Sequence, residues 1–310
     1  MYQFLDKWFS DAPELTVHTS GSTGKPKELM VSKDKMMQSA RMTCEFLQLK
    51  PGDTALLCMN LRYIGAMMVV VRALVAGLNL IVCPASGHPL AEVSEPLAFA
   101  AMVPAQVIVM VPKMGDAALN MVWNNTHINT RPSTYGMTET LSHIALRRLN
   151  GVSASSRYAS FPSVHVSLSA DNTLQIDAPL VCDAILQTND IAEIYPDGSF
   201  LILGRKDNVI NSGGVKIQAE EIERLLRPII SQHFVVTSIP DERLGEAVVL
   251  LLENEIDLTK FESAFSKRLT PYSRPRYLYT VAQIPLTDNG KIDRASCRDL
   301  AKELFLRARK

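Results

Sequence analysis

Hydrophobic and polar positions along the first third of the chain alternate between two periods. The β-branched run "ELTVHT" reads as a strand entering a turn rich in glycine and hydroxyl residues. Behind it, "SKDKMMQSARMTCEFLQL" carries Met36, Met37, Ala40, Cys44 and Leu47 at helical spacing, with Ser32 as N-cap and Pro51-Gly52 as the stop. "TALLCM" reads as a buried strand, Ile64 to Ala76 as a helix closed by Gly77, and "LNLIVC" as a further strand. Repeated β-α-β units of this kind predict an α/β fold, a mostly parallel sheet with flanking helices plus antiparallel strands, whose ligands gather beyond the carboxyl ends of the parallel strands. The turn at Ser20 to Lys27 follows a strand and is expected at such an end.

Farther along, the pattern changes. "WNNTHINTRPST" is polar and irregular and reads as loop, whereas Val164 to Asp177 and Ile191 to Leu203 alternate like antiparallel strands. Past Gly204 come an amphipathic helix, "AEEIERLLR", two strands, "FVVTSI" and "AVVLLL", a helix from Leu258 to Leu269, and a basic helix from about Arg294. These form a small α+β unit of roughly 100 residues, enough for a domain. The boundary is placed at Gly204 to Asp207, giving an N-terminal domain of residues 1–204 and a C-terminal domain of residues 205–310.

Composition limits the class. With 310 residues, 47% of them hydrophobic, the chain has about two domains' worth of core-forming sequence. Lys plus Arg equals Asp plus Glu at 32 each, so no net field draws in nucleic acid or an anionic membrane, and an anionic ligand needs a local site. The cysteines, Cys44, Cys58, Cys83, Cys182 and Cys297, form no C-x-x-C pair and read as reduced thiols of a cytoplasmic protein. The most apolar stretch, Ile64 to Leu78, is interrupted by Arg72 and is too short to span a bilayer, and no secretory leader is visible.

The turn "VHTSGSTGKPKEL" is the first candidate for chemistry. It is not a Walker loop: only two residues separate Gly21 from Gly24, and Pro26 follows Lys25. Pro26 also disfavours the α region at Lys25, so an anion here would be held by the N–H groups of the glycines, the hydroxyls of Thr19, Ser20, Ser22 and Thr23, and the ammonium groups of Lys25 and Lys27. Taken alone, such a turn is more often a flexible surface loop.

Three further segments change that balance. "TSGSTGKPK", "TYGMTET" at 134–140, "GRKDNVINSGGVKIQAEEIE" at 204–223 and "PLTDNGKIDR" at 285–294 occur in an order that resembles the adenylate-forming superfamily of acyl- and aryl-CoA ligases. The likeness runs from about residue 15 to the C-terminus, and within the superfamily it is greatest to short-form o-succinylbenzoate–CoA ligases of menaquinone synthesis. Two features depart from the pattern: only a strand and a short helix precede the phosphate turn, and Pro104 to Thr134 contains no Gly-Gly-Ala segment.

The resemblance implies a two-step reaction. A small-molecule carboxylic acid attacks the α-phosphate of ATP to give an acyl-adenylate, and coenzyme A then displaces AMP. It implies that residues 19–27 hold phosphate, that Tyr135 and Gly136 line the nucleotide, that Thr138 reaches the α-phosphate, and that Glu139 helps hold Mg²⁺. It assigns Asp190 to the ribose, Arg205 to its hinge-side partner, Gly213 and Gly214 to the pantetheine tunnel, and Lys291 to the phosphate during adenylation, carried by a mobile C-terminal domain. Arg62, in "NLRYIGAMM", stands beside the expected acyl pocket, where it would pair with the second carboxylate of a diacid.

Residue by residue, plainer readings compete. Glu139 is then a solvated carboxylate, Gly213-Gly214 a hairpin turn, Lys291 an exposed turn lysine, and Arg62 a helix-start residue. At the level of function, another aryl or acyl acid, a carrier-protein thiol as acceptor, and a catalytically impaired nucleotide-binding homologue stay open. A homodimer is compatible with the sequence.

Overall fold

The structure is a computed structural model that describes residues 1–18, 28–91, 93–102, 132–149, 152–253, 265–287 and 291–308. The phosphate turn from Thr19 to Lys27, the segment from Pro104 to Arg131 and most of the helix expected at Leu258 to Leu269 lie outside the described residues. Two compact units are formed. One comprises Met1–Ser167, Gln175–Gln187 and Ile194–Leu201, the other Leu168–Leu174, Thr188–Glu193 and Ile202–Lys310.

In the first unit, helix α1 (Tyr2–Phe9) leads to strands β1 (Glu14–His18) and β2 (Glu28–Ser32), then to helix α2 (Lys33–Phe46). β1 and β2 pair antiparallel, with Glu14 opposite Ser32 and His18 opposite Glu28. Among the described residues, the strand ahead of the phosphate turn is therefore half of an antiparallel pair and belongs to no parallel sheet, which differs from the expectation from periodicity. His18 still bridges in parallel to Tyr63, so the end of β1 lies beside the residues that follow β3 (Thr54–Leu57).

Ser32 caps α2 as expected, its Oγ accepting from the Lys35 N–H at 3.4 Å. The helix ends earlier than Pro51-Gly52, at Phe46, because Gln48 takes the left-handed conformation (φ 56°) that terminates it. Helix α3 (Ile64–Ala76) ends on Gly77 at φ 66°. β3 is the centre of a parallel sheet between β4 (Asn79–Val82) and β5 (Phe99–Ala101).

The end of the segment read as loop is instead strand β6 (Pro132–Gly136), with proline at its first position, where a missing N–H is tolerated. It pairs antiparallel with β7 (His143–Arg148), which pairs in turn with β8 (Ala159–Ser160). The alternating middle region forms β9 (His165–Leu168), β10 (Thr173–Asp177), β11 (Leu186–Ile194) and β12 (Phe200–Arg205), arranged in the order β12-β11-β10-β9. The class is thus α/β with mixed sheets.

The second unit contains β13 (Val209–Ser212), β14 (Val215–Gln218), helix α4 (Ala219–Leu226), β15 (Phe234–Asp241), β16 (Gly245–Leu252), β17 (Tyr277–Thr280) and helix α5 (Arg294–Ala308). Its sheet runs β14-β13-β16-β15, with β17 parallel to β16. The period of two sends Val236, Val248 and Leu250 to the face with Ile222 and Leu226 of α4, and Val235, Val249 and Leu251 to the face with Cys297 and Ala301 of α5. Both faces are covered, which is why "FVVTSI" and "AVVLLL" read as continuous apolar runs.

Candidate active site

The described site residues divide between the units. Tyr135, Gly136, Thr138, Glu139 and Arg62 belong to the first, and Asp190, Arg205, Gly213, Gly214 and Lys291 to the second.

"TYGMTET" spans the end of β6 and a tight turn. Tyr135 packs edge-on against Phe200 at 5.3 Å and beside Tyr158 at 5.7 Å, with Tyr158 stacked on Phe200, so its ring is seated on an aromatic platform. At Gly136 the chain passes so close to β7 that a Cβ would sit 2.1 Å from the Ser142 carbonyl oxygen. Only glycine fits there. Thr140, fully buried, organises the turn: its Oγ1 accepts from the Met137 N–H at 2.9 Å and lies within donating distance of the Met137 and Ser142 carbonyls. This leaves Thr138 half-buried and Glu139 exposed. No basic side chain pairs with the Glu139 carboxylate among the described residues, and an uncommitted exposed carboxylate suits a hard divalent cation such as Mg²⁺.

The turn is braced from beneath by a chain of buried polar groups. Arg72 of α3, 1% exposed, donates from Nη2 to Ser142 Oγ at 2.6 Å. Ser142 Oγ lies 3.1 Å from His143 Nδ1, and His143 Nε2 lies 3.1 Å from Thr43 Oγ1, which donates to the Ser39 carbonyl at 3.1 Å. Thr43 Oγ1 already donates to the Ser39 carbonyl, so Nε2–H donates to Thr43, and on a neutral ring Nδ1 accepts from Ser142 Oγ. Although the residue is only partly buried, desolvation holds its pKa well below 6.5, assisted by the Arg72 charge, so the ring is neutral.

Arg72 itself has no carboxylate partner among the described residues. It lies over the Phe99 ring at 5.7 Å, and burial pulls its pKa down to about 10, offset only slightly by Cys44. A fully buried guanidinium without a counter-ion is costly. By contrast, Arg62 is exposed in an Asx turn, its N–H bonded to Asn60 Oδ1 at 3.0 Å. Arg72, Thr140 and His143 escaped the sequence reading. The available signal was one cation inside "MMVVVRALV", a helix apolar on every side.

In the second unit, Asp190 is buried and lies 3.4 Å from Arg205 Nη1, while Arg205 Nη2 reaches Asp207 at 3.0 Å. Asn189 also donates to Asp207. Asp190 and Arg205 are thus assembled into one charged cluster. Gly213 and Gly214, at φ 60° and 80°, form the two-residue connection between β13 and β14, a backbone path glycine favours. Gly213 is also closed in by the Tyr272 ring, 2.9 Å from where a Cβ would lie, whereas the space at Gly214 is open. Lys291 is exposed, its N–H reaches Thr287 Oγ1 at 3.2 Å and its carbonyl accepts from the Thr287 N–H at 2.7 Å, while the turn expected at Asn289-Gly290 lies outside the described residues.

Comparison with known proteins adds four observations. The family model of AMP-binding enzymes matches residues 10–131. The chain is 33% identical to an acyl-CoA synthetase (AMP-forming)/AMP-acid ligase II-like protein of Dyadobacter fermentans, over 96% of this chain and 92% of that one, with a TM-score of 0.61. It is 22% identical to 2-succinylbenzoate–CoA ligase of Listeria monocytogenes over 96% of this chain and 72% of the relative. It also shares its fold with o-succinylbenzoate coenzyme A synthetase of Bacillus subtilis, solved with ATP and magnesium, at 18% identity and a TM-score of 0.72, covering 91% of this chain and 69% of that one. Through its matched family model and a relative aligned over nearly the whole chain, this protein belongs to the AMP-binding enzymes, the adenylate-forming superfamily of acyl- and aryl-CoA ligases.

Proposed function

We propose that the chain is an ATP-dependent, AMP-forming acid–CoA ligase whose acid is a diacid of the o-succinylbenzoate type. Arg72 carries the substrate reading. Its buried guanidinium meets no carboxylate among the described residues and is hydrogen-bonded through Ser142 to the frame of the Thr138–Glu139 turn, and a ligand carboxylate would supply a counter-ion. The sequence points to Arg62 for this role; burial favours Arg72 instead.

The remaining roles follow the chemistry of each residue. Tyr135 and Gly136 face the adenine, Asp190 and Arg205 the ribose. Thr138, the turn at Thr19 to Lys27 and Lys291 stabilise charge on the phosphates, and Glu139 would hold Mg²⁺, which polarises them when bound. Gly213 and Gly214 border the coenzyme A path. In this reading residues 1–204 bind ATP and acid, residues 205–310 form the mobile domain, Lys291 serves only adenylation, and the reaction runs in the cytoplasm.

ATP–pyrophosphate exchange across a panel of aryl and acyl acids tests the reading, followed by coenzyme A and carrier proteins as acceptors. Exchange driven best by o-succinylbenzoate with transfer to coenzyme A is expected. Exchange with monoacids alone removes the diacid, transfer to a carrier protein alone removes coenzyme A, and ATP binding without exchange leaves a nucleotide-binding homologue.

A further inference from the structure

The Lys291 hairpin runs directly into α5. Leu286 bridges Ile292, the Asp293 N–H donates to the Pro285 carbonyl at 2.9 Å, and Asp293 caps α5 by accepting from Ser296 N–H at 3.1 Å and Ser296 Oγ at 2.8 Å. The next residue is held much harder. Arg294 donates from Nη1 and Nη2 to the two oxygens of Glu223 at 3.1 and 2.9 Å, with Glu220 Oε1 at 3.5 Å. Glu223, 5% exposed, also accepts from the Val236 N–H at 2.9 Å, and Arg294 donates to the Val236 carbonyl at 3.3 Å. A fork-to-fork ion pair between α4 and α5 thus grips both main-chain groups of one residue in β15.

Burial disfavours the Arg294 charge, but Glu223 and then Glu220 outweigh it and raise its pKa. Such a joint has direction as well as strength, because a bidentate pair fixes the guanidinium plane. Two residues separate it from Lys291. A flexible ammonium that must meet a phosphate in one pose needs a fixed base, since errors near 1 Å in placement cost on the order of 100-fold in rate.

We propose that Glu223 and Arg294 are positioning residues for adenylation, a rigid mount that aims the Lys291 turn. The inference rests on the reading of Lys291 as the adenylation lysine. Neither residue touches substrate in this account. The mount acts on the half-reaction that uses Lys291 and leaves the other alone.

The test uses the full chain and its best acid. ATP–pyrophosphate exchange, coenzyme A transfer from supplied acyl-adenylate, and thermal unfolding are measured for Lys291→Ala, Glu223→Gln, Arg294→Met and Arg294→Lys. Lys291→Ala is expected to lose ~100-fold in exchange. Glu223→Gln and Arg294→Met should lose ~10-fold or more in kcat for exchange, with KM for ATP and transfer from acyl-adenylate within about 2-fold. Arg294→Lys, keeping charge without the fork, should recover part of the loss, and it decides by the same criterion if Arg294→Met does not fold.

Normal exchange in the folded mount variants beside a crippled Lys291→Ala overturns the mount alone. Equal loss of both half-reactions in step with falling Tm overturns it too, in favour of plain structural support. Normal exchange in Lys291→Ala removes the reading of the lysine and the mount with it.

Discussion

The first unit buries Arg72 and the second half-buries Arg294, and the two are in opposite electrostatic company. Arg294 faces Glu223 and Glu220 and has its pKa raised, whereas Arg72 meets a serine hydroxyl and an aromatic ring and has its pKa lowered to about 10. The first charge is neutralised by the protein itself and holds elements together. The second meets no carboxylate among the described residues, and keeping it there destabilises the free protein. A residue that weakens the fold while sitting under the site's main turn is explained by a ligand that completes it.

Stability gives the widest separation between them. Arg294→Met strands a buried Glu223 and should cost ~3–5 kcal/mol in chemical unfolding, whereas Arg72→Met removes a charge that has no carboxylate partner among the described residues and should leave stability equal or higher. Arg72 stays protonated in both the folded and unfolded chain below pH 10, so its penalty is constant there and is relieved only as pH rises from about 10 toward 12.5. The effect of Arg72→Met on Tm should therefore be flat from about pH 6 to 9. A fall in stability matching that of Arg294→Met would erase the distinction.

Next in size is Gly136→Ala. The added methyl group would meet main-chain atoms of Ser142 and His143, which cannot rotate away, so ~1–3 kcal/mol of stability and most adenylation should be lost. Native stability together with native exchange kinetics would show that the turn above Arg72 needs no such close passage.

The smallest effect separates the neutral brace from the charged mount by pH. His143 has its folded pKa depressed, so its contribution is present above about 6.5, where both states are neutral, and is lost as pH falls below that value while the unfolded chain takes up the proton first. Wild type should lose up to ~1.4 kcal/mol per pH unit more than His143→Gln below pH 6.5. Parallel slopes in the two proteins would mean that the ring is not held neutral.

Much of the fold was legible because local signals and packing agreed. Gly77 closes α3, Ser32 caps α2, and the apolar runs of β15 and β16 mark a sheet covered on both faces. What escaped was set by long-range pairing. The hairpin partner of "ELTVH" is "ELMVS", across nine intervening residues whose composition says nothing of strand direction. In the site, the motif residues Tyr135, Thr138 and Glu139 were visible as types, but their support was not. Thr140 and His143 look like ordinary turn and strand residues until burial is known, and the partnership of Glu223 with Arg294 spans 71 positions. Arg72 was legible only as an oddity, one cation in an apolar helix, and was used to argue against a membrane span when it also marked a place in need of an anion.

The central claim, that Arg72 is kept for a ligand carboxylate, is tested most directly by the preference for o-succinylbenzoate over benzoate in ATP–pyrophosphate exchange, measured in wild type and in Arg72→Met with Tm recorded alongside. Losing a charge-assisted pair should reduce that preference by ~10- to 100-fold while Tm is unchanged or rises. An undiminished preference in the folded variant would contradict the account.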